Sequence, residues 1–150
     1  MYANYITEDD LAAELGPDTI ATLEGDQPGT VGRLITDTAA RIRRFTADAV
    51  YNTNLDGSPS NPELAEVFKQ ATIAHLATVA AAGIAHDVLN GGASTKPRVA
   101  STSENGASIT FDYAQADAST TVMIGGGLAP AAARILADAG LTGYGPGVIF

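Results

Sequence analysis

Residues 61–83 read NPELAEVFKQATIAHLATVAAAG, and this stretch decides the fold. Asn61 suits an N-cap, and Pro62 suits the first helical position, where a missing N–H costs nothing. Glu63 and Glu66 follow near the positive end of the helix dipole, and Gly83 supplies the stop. Between these signals Leu64, Val67, Phe68, Ala71, His75, Thr78 and Val79 recur at helical spacing on one side. Ile73, Leu76, Ala77, Ala80 and Ile84 form a second apolar row. A helix apolar on two sides is expected to be covered on both, within a bundle or against a second chain. That makes it the strongest sequence sign of a protein interface, with Ile73 and Leu76 as candidate inter-subunit residues.

Working back toward the N-terminus, a long central helix is expected from about Thr30 to Tyr51. Its stripe is Val31, Leu34, Ile35, Thr38, Ile42, Phe45 and Ala49, while Arg33, Asp37, Arg41, Arg44 and Asp48 fall off it. Asp37 and Arg41 form an i,i+4 pair, worth some tenths of a kcal/mol on an exposed helix. The loop Asn52 to Asn61, with Gly57 and Pro59, separates the two long helices. Further upstream, Thr7 and Asp10 fit a capping box for a first short helix carrying Leu11 and Leu15, stopped by Gly16-Pro17. A second short turn is expected over Asp18 to Leu23, before the Gly25–Gly29 loop.

Beyond Gly83 glycine becomes frequent and the character changes. Glu104-Asn105-Gly106-Ala107 signals a β-hairpin, because Asn-Gly accepts the positive φ angles of a type I′ turn. Ala107, Ile109, Phe111 and Tyr113 alternate with Ser108, Thr110 and Asp112, and Arg98 to Ser103 is the expected partner strand. A two-stranded hairpin is marginal alone, so Thr120 to Ile124 is the expected third strand. Gly125-Gly126-Gly127 reads as a flexible hinge rather than a phosphate cradle, since no lysine stands at P-loop spacing. A last helix starts near Pro130, carries Ile135 and Leu136, and is closed by Gly140 before Leu141. The fold class expected is mainly α: a small helical bundle with long central helices, an inserted β-hairpin and an extended C-terminal tail. It is read as one domain over 1–150, with the helical frame at 7–85 and 128–141, the hairpin region at 96–124 and the tail at 142–150.

Composition narrows the function. There is no cysteine and no tryptophan, and net charge is −9. Thiolate chemistry, disulfides and zinc–thiolate clusters are therefore excluded. Much of the apolar content is alanine, so the core is thin and favours support from neighbouring copies. The acids Glu8, Asp9, Asp10, Glu14, Asp18, Glu24 and Asp26 all precede the first cation, whereas Arg33, Arg41, Arg43 and Arg44 bunch together. Net negative charge disfavours free binding to nucleic-acid phosphates. An acidic segment beside a basic one suits contact between identical neighbours, with Glu8, Asp9, Asp10, Glu14, Arg33, Arg41 and Arg44 as candidate inter-subunit residues. Two solvated helix faces explain the same pattern equally well. No basic n-region precedes an apolar run and the alanine-rich run 71–85 is too weakly apolar to span a bilayer, so an intracellular origin without membrane partners is expected.

Chemistry does not declare itself. His75 and His86, if helical, stand about 16 Å apart along the axis and cannot share a metal. Neither Gly-x-Ser-x-Gly nor His-Glu-x-x-His occurs. The acids at the start of the first helix are explained by capping and dipole, and no calcium-loop pattern is present. No catalytic residue, cofactor or metal is expected, and the chain is read as not an enzyme.

Tyr5-Ile6-Thr7-Glu8-Asp9-Asp10-Leu11, followed by Gly16, resembles the opening of the head-to-tail adaptor (connector) proteins of long-tailed bacteriophages. In that family a short helix, a long helix and a proline-started helix follow in order, as here through Gly83. Leu128 to Leu141 and the Gly-rich tail resemble adaptors from phages of actinobacteria. The likeness is good over about 5–85, fair over 128–150 and poor between them; the Tyr51–Leu55 turn lacks the family's aromatic and proline-rich sequence. What the resemblance implies is a virion protein made in the host cytoplasm and placed in the neck. There a homo-oligomeric ring of about twelve copies would join the portal protein to the next tail-side protein, with DNA passing through unbound. Tyr144, Val148, Ile149 and Phe150 of the apolar tail are then the candidate portal-binding residues, docking as an added strand. The alternatives are another neck component, a head-closure or tail-terminator protein, which would be richer in strand, and a small acidic regulatory protein mimicking DNA.

Overall fold

The computed structural model describes residues 3–90 and 120–141. Its helices are α1 (Glu8–Leu15), α2 (Pro17–Glu24), α3 (Thr30–Phe45), α4 (Pro62–Ala82), α5 (Ala85–Leu89), a helix whose described part is 120–124 (α6), and α7 (Pro130–Asp138). Among the described residues there is no strand, only an isolated bridge between Thr53 and Pro59. The chain is thus mainly helical, as its periodicity requires. The expected third strand at Thr120–Ile124 is corrected: these residues are helical. Met123 and Thr120 are buried one turn apart, a spacing that serves a helix face rather than an alternating strand. The hairpin at 98–113 and the tail at 142–150 lie outside the described residues.

The ends of the helices follow local chemistry. Thr7 Oγ1 accepts the Asp10 amide at 3.1 Å and caps α1, and Asn61 Oδ1 accepts the Glu63 amide at 2.8 Å and caps α4. Three helices stop on the same device. After α4, Gly83 has φ +67° and Ile84 N–H bonds back to Val79 O at 3.3 Å; after α7, Gly140 has φ +74° and Leu141 N–H bonds to Leu136 O at 3.0 Å. After α6, Gly126 has φ +106° and Gly127 N–H bonds to Val122 O at 2.8 Å. Each is a Schellman closure, with the positive-φ glycine where an L side chain is strained. The Gly125–Gly127 run is therefore a helix stop and not a hinge.

Helix α3 ends at Phe45, short of the expected Tyr51. Its stripe is buried through Ile42, but Phe45 is 39% exposed and Val50 99%. Thr46 is the C-cap, and the Ala47 amide falls back on Arg44 O at 3.4 Å, a tightened last turn that ends the i→i−4 ladder. Tyr51 is drawn off the axis to pack on the Phe68 ring, centroid to centroid 5.5 Å.

Helix α4 lies at the centre. It contacts α1, α2, α3 and α5 on one side and α7 most extensively on the other. Two apolar clusters result. The first joins Ile6, Leu11, Leu23, Leu34, Ile35, Leu76, Val79, Val88 and Met123; the second joins Ile42, Phe68, Ala71, Leu128, Ala132, Leu136 and Leu141. Most of both apolar rows of α4 is therefore covered inside the chain, with Ile73, Ala77 and Ala80 left half-buried. Leu76 is fully buried and Ile73 packs against the first cluster, so the expectation that Leu76 faces a neighbour is corrected. Thr38 and Thr72 enter the core because each hydroxyl bonds the carbonyl four residues back.

Candidate interaction surfaces and the buried polar centre

The polar centre is built around Arg41, which is 4% exposed. Its Nε donates to Asp37 Oδ2 at 2.7 Å, and its Nη1 donates to Gly127 O at 2.8 Å and to Met123 O. Nη2 reaches Val88 O at 3.3 Å. One planar guanidinium thus ties α3 to the C-terminal ends of α5 and α6, where free carbonyls concentrate negative dipole. Burial in its own protomer removes Arg41 from the expected inter-subunit set: these carbonyls, not a neighbour's acids, are its partners. The Asp37–Arg41 pair is accordingly more than the surface pair its spacing suggests.

His75 lies beside this centre and has no exposed surface. Its Nδ1 accepts the Ala129 N–H at 3.0 Å, which fixes the proton on Nε2, and Nε2 is buried without a hydrogen-bond partner. Burial, reinforced by the Arg41 charge, lowers its pKa from 6.5 to about 4. The imidazole is therefore a neutral strut between α4 and the start of α7. His86 is exposed on α5 and contacts Asn90 Nδ2 at 2.8 Å. The two histidines thus occupy unrelated environments. Among the described residues no group of three His, Cys, Asp or Glu side chains is placed to hold a metal ion. No described helix is long and apolar enough to cross a membrane.

The remaining surface residues stay at the surface. Glu8, Asp9, Asp10 and Glu14 are exposed on α1, and Arg33 and Arg44 are exposed at opposite ends of α3. The structure does not bring α1 acids into an ion pair with these arginines; among the described residues the one salt bridge is Asp37–Arg41. Arg33 donates to Thr30 Oγ1 at 3.2 Å and Gln27 Oε1 at 3.5 Å, both neutral acceptors. Between α1 and the N-terminal half of α3 lies a hollow of about 510 Å³ lined by Glu8, Gly29, Gly32, Arg33, Thr36 and Asp37. The Glu8 carboxylate packs over the face of Gly32, where a Cβ would stand 2.9 Å from Oε1.

The loop after α3 carries a feature that helical periodicity does not signal. Leu55 and Val50 are wholly exposed, yet the loop is tightly bonded. Asn54 N–H donates to Ser58 O at 2.8 Å, and Ser60 N–H donates to Asn52 O at 3.0 Å. Asp56 Oδ1 accepts both the Ser58 amide at 3.0 Å and its hydroxyl at 2.5 Å, which lowers the Asp56 pKa. The Ala3 amide donates to Asp56 O at 3.1 Å and pins the tip to the N-terminal segment. Apolar residues inside an Asn-, Gly- and Pro-punctuated loop are the signal that marks such a tip. The candidate portal-binding residues Tyr144, Val148, Ile149 and Phe150 lie outside the described residues. Comparison with protein-family models, with curated proteins and with solved structures returned no match.

Proposed function

We propose that the chain is a head-to-tail adaptor of a tailed phage, a structural protein whose copies, about twelve of them, form a ring between the portal and the next neck protein. The observation that carries this reading is the Tyr5–Leu11 opening, whose Tyr5, Ile6, Thr7 and Leu11 build the helical frame. Tyr5 stacks on Phe68 with ring centroids 4.8 Å apart, Ile6 and Leu11 enter the first cluster, Thr7 caps α1, and Gly16 turns the chain at φ +86°. Residues that resemble the adaptor family's opening thus define the frame rather than decorate it. The exposed Val50 and Leu55 supply apolar surface for assembly, and single-sign acids on α1 suit a lumen through which DNA slides without counterion-releasing contacts.

In this reading the protein works in the virion neck, takes no cofactor, catalyses nothing and lets DNA pass without specific binding. The helical character of the described residues favours an adaptor over a head-closure or tail-terminator protein. Co-sedimentation with portal rings tests the assignment: the full chain is carried down with the portal, and truncation after Leu141 abolishes this while leaving the fold. A full chain that stays in the supernatant contradicts the assignment; a truncated chain that still sediments refutes the role of the tail.

A further inference from the structure

We propose that Ala3–Tyr5, the segment ahead of α1, is a strap that holds the Asn52–Ser60 tip in shape, so that strap and tip order and release as one unit. The coupling does not depend on the adaptor reading. Between Thr46 and Pro59, both buried, no side chain of the α3–α4 loop is buried, and residues 52–56 are exposed. Apolar burial therefore does little to hold the tip, and a segment of that kind opens at far lower cost than the core.

A short set of bonds holds it instead. Inside the tip, Asn54 N–H donates to Ser58 O at 2.8 Å, Gly57 N–H to Asn54 O at 3.0 Å and Ser60 N–H to Asn52 O at 3.0 Å. The Ser58 amide and hydroxyl both donate to Asp56 Oδ1. Thr53 and Pro59 make an isolated bridge and not a strand pair. So small a unit is marginal by itself in water and needs an outside tie. The tie at its apex is the strap, where Ala3 N–H donates to Asp56 O at 3.1 Å.

The strap in turn is held by groups that border or serve the loop. Ala3 O accepts from Arg43 Nη1 at 3.3 Å, close to where the loop leaves α3. The Tyr5 ring stacks on Phe68 at 4.8 Å, and Tyr51 from the loop packs on the same ring at 5.5 Å. Ala3 and Tyr5 are only half-buried, and the first buried residue after them is Ile6. Strap and loop thus share one aromatic anchor and are joined directly through Asp56, whose backbone oxygen takes the strap while its carboxylate orders the turn. Such a coupling is reciprocal: freeing the strap loosens the tip, and fixing the tip orders the strap.

Native-state amide exchange of the full chain, followed residue by residue, tests this. Ala3→Pro removes the N–H that meets Asp56 and should speed exchange of the Asn54, Gly57 and Ser60 amides together, by about three- to tenfold, the worth of one hydrogen bond. The amides of Leu76 and Val79, buried in α4, report the core and should keep their rates. Ser58→Ala strips the hydroxyl from Asp56 Oδ1 and should speed exchange of the Ala3 amide in step with the tip. Tip amides that do not respond to Ala3→Pro overturn the strap. So does an Ala3 amide that exchanges at its original rate in Ser58→Ala. Equal acceleration at Leu76 and Val79 overturns it too, since the opening would then belong to the whole frame.

Discussion

Arg41 and His75 are the buried ionisable side chains among the described residues, and both make testable claims at the scale of single residues. Replacing Arg41 with Met strips three carbonyls and Asp37 of their donor, and unpaired buried polar groups cost far more than a made hydrogen bond returns. A loss of about 3–5 kcal/mol is expected in urea denaturation, and Arg41→Lys recovers little, because one ammonium cannot reproduce the planar fork. For His75 the folded pKa of about 4 lies below the unfolded value of 6.5, so the folded state resists protonation. The associated stability is complete above pH 6.5 and falls as pH drops toward 4, by about 3 kcal/mol in all. His75→Phe should flatten that part of the stability–pH curve, measured by denaturation at steps between pH 7 and 4; an unchanged slope refutes the neutral strut.

Among the elements, the parts that were legible are those written in local chemistry. Asn61-Pro62 and Gly83 delimit α4, Thr7 and Gly16 delimit α1, and Gly140 closes α7, all by caps that depend on near neighbours. Replacing Gly83 with Ala should cost about 1–2 kcal/mol: no atom lies within 4 Å of the new methyl, so the loss comes from backbone strain at φ +67° alone. Thr7→Ala should cost about 1 kcal/mol by the same denaturation measurement. What the sequence concealed depends on distance. Arg41 meets carbonyls 47, 82 and 86 residues away, and backbone acceptors leave no side-chain pattern to read. The early end of α3 was hidden because Phe45 and Ala49 continue the stripe in register while tertiary packing of Tyr51 on Phe68 takes the chain elsewhere. Thr120–Ile124 is β-rich in composition, and burial of Met123 beneath Arg41 overrides that propensity.

The described frame is organised around α4, most of whose apolar surface it buries by itself, so the proposed assembly would use the outer surface rather than complete an unfinished core. Leu76→Ala should accordingly lower monomer stability by about 2–5 kcal/mol, whereas Leu55→Asp should leave it within about 0.5 kcal/mol. That contrast separates residues holding the fold from residues available to a neighbour, and the acids Glu8, Asp9, Asp10 and Glu14 belong to the second group. It also locates the C-terminal boundary of the described frame: Leu141 is buried in the Schellman closure of α7. The most direct test of the central claim is electron cryomicroscopy of the full chain mixed with its portal protein. The account predicts a closed ring of about twelve copies on the portal, each copy touching the next. Portal particles bare of added density, or copies bound without touching one another, would contradict it.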